Sequence, residues 1–308
     1  MGLLSKWVES LEYEYEILPS CTRYVSPHSS CEKCVHSCDL KAVVLVSGKP
    51  VIDYKKCIEC GKCISACPVQ AIAGIYPKRT IIQNELVIKN QEIPTVKELL
   101  LLYKKGIKTI VGETRYLIDL WKDPIDEVNA LLKQLNEAPF SILVKSTEEE
   151  KFYSRRELFS LWKNESKSVV KQAAPAKWRF NQDDFHLPKY YRDYQFARIT
   201  IDNEKCMLCT ACQRLCKNEC FNIREEHFSL LSQGCSSCRL CVDACPEKAI
   251  IVEDLISKAE ESLLQIYEKV CTVCHKTYKT LREHDEKCVA CRKRESFKKT
   301  KEGNHYAF

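Results

Sequence analysis

Residues 78–147 alternate short apolar runs with amphipathic ones. The segment 81–88 is rich in β-branched residues. The segment 96–105 puts Leu99, Leu100 and Tyr103 on one side of a helix. Residues 107–111 form a short apolar run between Gly106 and Gly112, the pattern of a buried strand. Ile125, Val128, Leu131, Leu132 and Leu135 recur at helical spacing over 124–136, and 140–144 reads as a further strand. Strands taking turns with helices predict a small α/β unit with parallel strands. The unit has no cysteine, no Gly-x-Gly-x-x-Gly and no P-loop, so a spacer or docking platform is expected rather than a nucleotide site.

Two other stretches are amphipathic at helical spacing. Leu3, Leu4, Trp7, Val8 and Leu11 predict a helix in residues 1–19. Leu255, Ile256, Ala259, Leu263, Ile266, Tyr267 and Val270 predict one over 253–270. Residues 148–198 read as a helix and then a polar linker. The aromatics near its end (Tyr190, Tyr191, Tyr194 and Phe196) are expected to pack the linker onto the segment from 199 to 252. No run of 18 apolar residues occurs, so no transmembrane segment is expected.

Cysteine changes this picture more than any other residue. Of the 308 residues, 21 are cysteine, and most fall into two copies of one pattern. Cys31, Cys34, Cys38, Cys57, Cys60, Cys63 and Cys67 recur as Cys209, Cys212, Cys216, Cys235, Cys238, Cys241 and Cys245, each 178 residues later. Cys206 opens the second copy. Its counterpart in the first is His28, with Cys21 nearby. Residues 57–68 and 235–246 each read C-x2-C-x2-C-x3-C-P. Three thiolates at this spacing wrap one iron–sulfur cube, and the fourth reaches a second cube. A disulfide framework suits short secreted chains, whereas this chain is long and its cysteine count is odd.

On these motifs the chain resembles the bacterial ferredoxins that carry two [4Fe–4S] clusters. The resemblance covers about residues 20–76 and 199–252. Framing residues agree: Ile52-Asp53 before Lys56-Cys57, Ile201-Asp202 before Lys205-Cys206, and Ala71-Ile72 and Ala249-Ile250 after the two prolines. The chain departs from the family at Asp39 and Lys217, which stand where proline is usual. The resemblance implies cross-ligation. In the first module one cluster takes Cys38, Cys57, Cys60 and Cys63, and its partner takes Cys31, Cys34, Cys67 and a fourth ligand. In the second, one cluster takes Cys206, Cys209, Cys212 and Cys245, and the other takes Cys216, Cys235, Cys238 and Cys241. The fourth ligand of the first module is Cys21 or His28, or the site holds a three-iron cluster with none. Thiolate is the softer donor, which favours Cys21. Cys220 is left unassigned.

Cys271-x2-Cys274 and Cys288-x2-Cys291 form a second kind of site, two knuckles able to close a tetrahedron of thiolates around one zinc ion. With all four positions filled by protein, the zinc is structural. His275 and His284 are expected to stay outside it. Net charge is +6, unevenly placed: Glu9, Glu12, Glu14 and Glu16 near the start, and Arg292, Lys293, Arg294, Lys298, Lys299 and Lys301 near the end.

The expected fold class is α+β: two ferredoxin-like dicluster modules (20–77 and 199–252) flanking the α/β unit, then a helix and a zinc-binding segment with a basic tail (271–308). The expected function is electron transfer by four [4Fe–4S] clusters, in a chain that is not itself a catalyst. It serves an oxidoreductase subunit or a soluble donor or acceptor in the cytoplasm. The alternative is an iron–sulfur and zinc protein that recognises nucleic acid or a protein partner. Direct nucleic-acid contact is not the expectation, because a basic tail is more often a solvated end.

Overall fold

A computed structural model describes residues 15–74, 76–77, 79–89, 92–145 and 185–302, with side chains to residue 295. The helices expected at 1–19 and 148–164, and the side chains of Lys298, Lys299 and Lys301, lie outside the described residues, apart from the first helix's last positions. The chain divides into two compact units, Met1–Tyr194 and Gln195–Phe308.

The first unit begins with β1 (Glu16–Ile17), α1 (Thr22–Val25), α2 (Lys33–His36), the hairpin β2 (Val43–Val46) and β3 (Lys49–Ile52), α3 (Lys62–Ala66) and β4 (Ile72–Ala73). β1 pairs antiparallel with β4, Ile17 opposite Ile72. β2 pairs antiparallel with β3, Val44 opposite Val51. Val43, Ile52, Ile64 and Ile72 turn inward with Cys63 and Cys67 to form the core of this part.

The α/β unit comes next as β5 (Thr80–Ile82), β6 (Glu85–Ile88), α4 (Val96–Lys104), β7 (Thr109–Gly112), α5 (Arg115–Leu120), α6 (Lys122–Gln134) and β8 (Ser141–Val144). Its sheet runs β5-β6-β7-β8. The last three strands are parallel and β5 joins antiparallel. α4 starts where Thr95 accepts a hydrogen bond from the Glu98 N–H, satisfying one of the free amides of the first turn. Leu86, Ile88, Leu99, Ile110, Ile125, Val128 and Leu132 are buried.

This unit is not a detached spacer. Leu101 of α4 lies in the same buried cluster as Ile64, Cys63 and Cys67. Glu98 accepts from Arg79 Nε at 2.7 Å, Arg79 Nη2 at 3.0 Å and the Tyr76 hydroxyl at 2.8 Å. A short helix, α7 (Leu187–Tyr190), ends at Tyr191, whose hydroxyl donates to the Leu100 carbonyl at 3.0 Å. The Phe185 ring meets the Tyr76 ring at a tilt, 4.7 Å between centres, and Tyr190 packs against the same cluster. The linker aromatics Tyr190 and Tyr191 therefore pack back onto the first unit, not forward onto the second as expected. The surface they cover is built by α4 and the segment at Tyr76, far off in the chain, which no local pattern near Tyr190 reveals.

The second unit holds β9 (Tyr194–Ile201), α8 (Ala211–Leu215), β10 (Phe221–Ile223), β11 (His227–Leu231), a 3-10 turn (Ser232–Gly234), α9 (Leu240–Ala244) and β12 (Ile250–Lys258). These elements repeat the first unit's at the cysteine offset of 178 residues. β10 and β11 match β2 and β3, α9 matches α3, and β9 pairs with β12 as β1 does with β4. The shared spacing of the apolar positions, Val43 with Phe221 and Ile72 with Ile250, gives both copies the same inward face.

The helix expected over 253–270 is three strands instead. β12 runs on to Lys258, β13 (Glu261–Gln265) pairs antiparallel with β11, and β14 (Tyr267–Val270) pairs with β15 (Thr277–Thr280). β11 leaves one edge unpaired, and β13 satisfies its backbone groups, Phe228 opposite Leu264. The β-branched and aromatic residues in this stretch suit that partner. α10 (Val289–Glu302) succeeds the last strand.

Candidate metal centres

The cysteine loops share a backbone device. Residues Glu59 and Gly61 have positive φ, as do Leu208 and Thr210, and Ser237 and Arg239. These are the same two places in each C-x2-C-x2-C loop: the residue before the second cysteine and the one after it. Alternating hands turn backbone N–H groups into a concavity that receives negative charge, here sulfur. The Glu59 N–H acts to lower the Cys57 thiol, as the Leu208 N–H does for Cys206 and the Ser237 N–H for Cys235. At Gly61 a side chain has no room, since a Cβ would lie 2.6 Å from Pro77 and 2.8 Å from Tyr76. The fourth loop, with His28 in the place of the first cysteine, lacks this device: Glu32 has φ −129°.

The loops bring the thiols together across the sequence. A cavity of about 400 Å³ is lined by Cys38, Cys57, Cys60 and Cys63, with Tyr15, Val43 and Ile52 in its wall. A smaller one, about 20 Å³, is lined by Cys206, Cys209, Cys212 and Cys245, with Phe228 and Ile250. Burial pushes the Cys63 thiol up to about 12, helped by Cys60 and Cys57. Burial does the same to Cys212, also to about 12, with Cys206 and Cys209 adding to it. Burial raises Cys241 too, and Cys238, Cys235 and Cys216 are its charged neighbours. Thiols this crowded hold their protons until a metal takes them.

Around Cys67 the neighbours are Cys21, Cys31 and Cys34. Burial pushes Cys34 up to about 12, and Cys67, Cys31 and Cys21 push the same way. Cys67 in turn is raised by burial first, against bonds from the Ala71 and Val69 amides, with Cys21 and Cys31 adding to it. Cys21 is partly buried and opens α1, whereas His28 is exposed. The structure thus brings Cys21 to this group of thiols, while His28 stays exposed.

Amide-to-sulfur bonds recur at matched positions: Ala42 to Cys38 at 3.2 Å, Ala71 to Cys67 at 3.1 Å and Ala249 to Cys245 at 3.3 Å. Cys220 stands where Ala42 does in the first copy. Its buried thiol donates to the Asn218 carbonyl at 3.7 Å and neighbours Cys216 and Cys235, which lowers theirs and raises its own.

The sulfurs of Cys271, Cys274, Cys288 and Cys291 all lie within 4.8 Å of one another, and Cys274 and Cys288 are 3.8 Å apart. Zinc–sulfur bonds of about 2.3 Å in a tetrahedron require edges of about 3.8 Å, so this donor set fits zinc. The β14–β15 hairpin supplies the first knuckle, with the Cys271 N–H bonded to the Lys276 carbonyl, and the start of α10 supplies the second. His275 and His284 are not among the converging groups. Two of the basic residues beside this site are partnered: Arg292 with Asp285 at 3.9 Å and Lys293 with Glu247 at 2.5 Å.

Two residues of this region, Tyr15 and Lys97, belong to no cysteine motif. The Tyr15 hydroxyl donates to the Glu59 carbonyl at 2.6 Å, closing one wall of the cavity. Lys97 donates to the Ser65 carbonyl at 3.1 Å, between Cys63 and Cys67. The inward placement of Ile17 two residues on could have pointed to Tyr15. Nothing local marks Lys97, which arrives from another part of the chain.

No helix among the described residues is long and apolar enough to cross a membrane. Residues 50–73 match the model of the 4Fe-4S binding domain family. A ferredoxin of Methanothermococcus thermolithotrophicus is 36% identical over 59 residues, which span 98% of it and 18% of this chain. The delta subunit of the NADH-dependent phenylglyoxylate dehydrogenase of Aromatoleum evansii is 27% identical over 56 residues, 18% of this chain. Of that subunit's own length the match spans 60%. Cluster-type cysteine loops, soft donors gathered in apolar cavities and these relatives lead to one conclusion: the chain belongs to the ferredoxin-type iron–sulfur proteins, which transfer electrons.

Proposed function

We propose that the chain is an electron carrier with four [4Fe–4S] clusters in two pairs, one pair in each unit, and one structural zinc ion. The ligand sets are Cys38, Cys57, Cys60 and Cys63; Cys21, Cys31, Cys34 and Cys67; Cys206, Cys209, Cys212 and Cys245; and Cys216, Cys235, Cys238 and Cys241. Zinc takes Cys271, Cys274, Cys288 and Cys291. The observation that carries the reading is the interleaving. Cys38 shares a cavity with Cys57, Cys60 and Cys63, and Cys245 shares one with Cys206, Cys209 and Cys212, each reaching across from the other loop. Such exchange holds two clusters close enough for rapid transfer between them.

When bound, the clusters supply one-electron chemistry. The chain's own residues do the rest. Amides from the left-handed turns bond sulfur, Tyr15 and the apolar walls keep water out, and burial, hydrogen bonds and charge set the potential. The chain serves an oxidoreductase or a soluble donor and acceptor, a role supported by the likeness to a dehydrogenase subunit. The test is anaerobic purification with iron, sulfide and zinc analysis and reductive EPR. The reading expects about 16 iron atoms and one zinc per chain. About eight iron atoms would reduce the carrier to a single pair.

A further inference from the structure

Lys97 is a long cation that the α/β unit brings to the first module's thiols. It sits in the first turn of α4, and four residues on, on the same face, Leu101 enters the core beside Cys63 and Cys67. Its ammonium donates to the Ser65 carbonyl at 3.1 Å, in the last turn of α3, the helix that joins those two cysteines. Cys67 is an ionisable neighbour, and so is Lys33, which lies between Cys31 and Cys34. Burial draws Lys97 down to about 8, and the Cys67 sulfur opposes that pull.

We propose that Lys97 raises the reduction potential of the cluster held at Cys67, and so makes the two centres of the first module unequal. The inference rests on assigning Cys67 to the cluster with Cys21, Cys31 and Cys34. A reduced cluster differs from an oxidised one by a single added electron, with no bond made or broken. A positive charge held at the Ser65 carbonyl, two residues before Cys67, stabilises that added charge, and the low-dielectric surroundings strengthen the effect. The electron entering the first module then rests on the Cys67 side, next to the α/β unit. Among the described residues the second module has no counterpart to α4, and Ala211 stands where Lys33 does.

A lysine at a helix C-terminus also stabilises the helix by bonding its last carbonyls. The two roles separate on charge. Gln at position 97 can still donate to the Ser65 carbonyl but is neutral, Met fills the space with neither, and Arg keeps the charge. The experiment is an EPR-monitored redox titration of the full-length, cluster-loaded protein at pH 7, with dithionite as reductant. It compares wild type with K97R, K97Q and K97M, and uses C67S to identify the component that belongs to this cluster. K97R is expected to titrate like wild type. In K97Q and K97M that one component is expected to lose at least tenfold in its reduced-to-oxidised ratio at the wild-type midpoint, about 59 mV for one electron. The other components stay put. A wild-type midpoint in K97Q, an equal shift in every component, or loss of the cluster from both neutral variants overturns the proposal. If C67S removes no component, the ligand assignment fails and the proposal goes with it.

Discussion

Replacing Glu98 with Gln should loosen the first unit more than any surface charge change. Glu98 and Arg79 have side chains only 6% and 8% exposed, and they meet in two bonds of 2.7 and 3.0 Å. Tyr76 adds a third bond to the same carboxylate, and the guanidinium lies 5.7 Å from the Trp121 ring. The Gln side chain keeps the volume but leaves the buried guanidinium with only the half-exposed Glu92 carboxylate, 3.7 Å away, as counter-charge. Breaking such a pair from one side costs about 3–5 kcal/mol. For a unit the size of Met1–Tyr194, each kcal/mol moves the midpoint by about 2–4 °C, so E98Q should lower it by roughly 6–20 °C. The assay is thermal unfolding of the full chain under anaerobic conditions, monitored by near-UV circular dichroism, with loss of visible absorbance recorded alongside. Glu85→Gln is the control. Its partner Lys145 is 47% exposed, and an exposed pair is worth about 1 kcal/mol or less. If E98Q shifts the midpoint no further than E85Q, the α/β unit is not clamped to the cluster-bearing part in the way described.

The same geometry sets three further outcomes. Cys21→Ser should remove about one to four of the iron atoms or leave a three-iron EPR signal, while His28→Ala should leave iron content unchanged; the reverse pattern would make His28 the ligand. Cys274→Ser should abolish zinc binding and speed hydrogen exchange at the Cys271 and Thr272 amides, which bond Lys276 and Glu286, with iron content unaltered. Ile266→Ala should cost about 2–5 kcal/mol, since Ile266 is buried with Phe228 and Leu281, a loss that thermal unfolding of the second unit measures.

The elements of the α/β unit could be read along the chain because each buries its own face at its own period. Ile125, Val128 and Leu132 mark a helix, and they are buried on one. The stretch after Val252 could not be read that way. Its apolar residues fit a helix or strands equally well, and what decided between them was the free edge of β11, a feature made by residues about thirty positions earlier. The aromatics at 190–191 pose the same difficulty. Their apolar character was plain, but the surface they cover belongs to α4.

The sequence by itself determined the kind of chemistry and its repetition. Thiol spacing is a local property, and a spacing that wraps a metal must do so wherever the loop lies in the fold. The 178-residue offset carried the matching strands and helices along with the cysteines. Only the tertiary structure decided which thiols face each other beyond the loops, that Cys21 approaches Cys67, and that α4 delivers Lys97 to the Ser65 carbonyl. Those are meetings between segments far apart in the chain, and they depend on which surfaces bury against which.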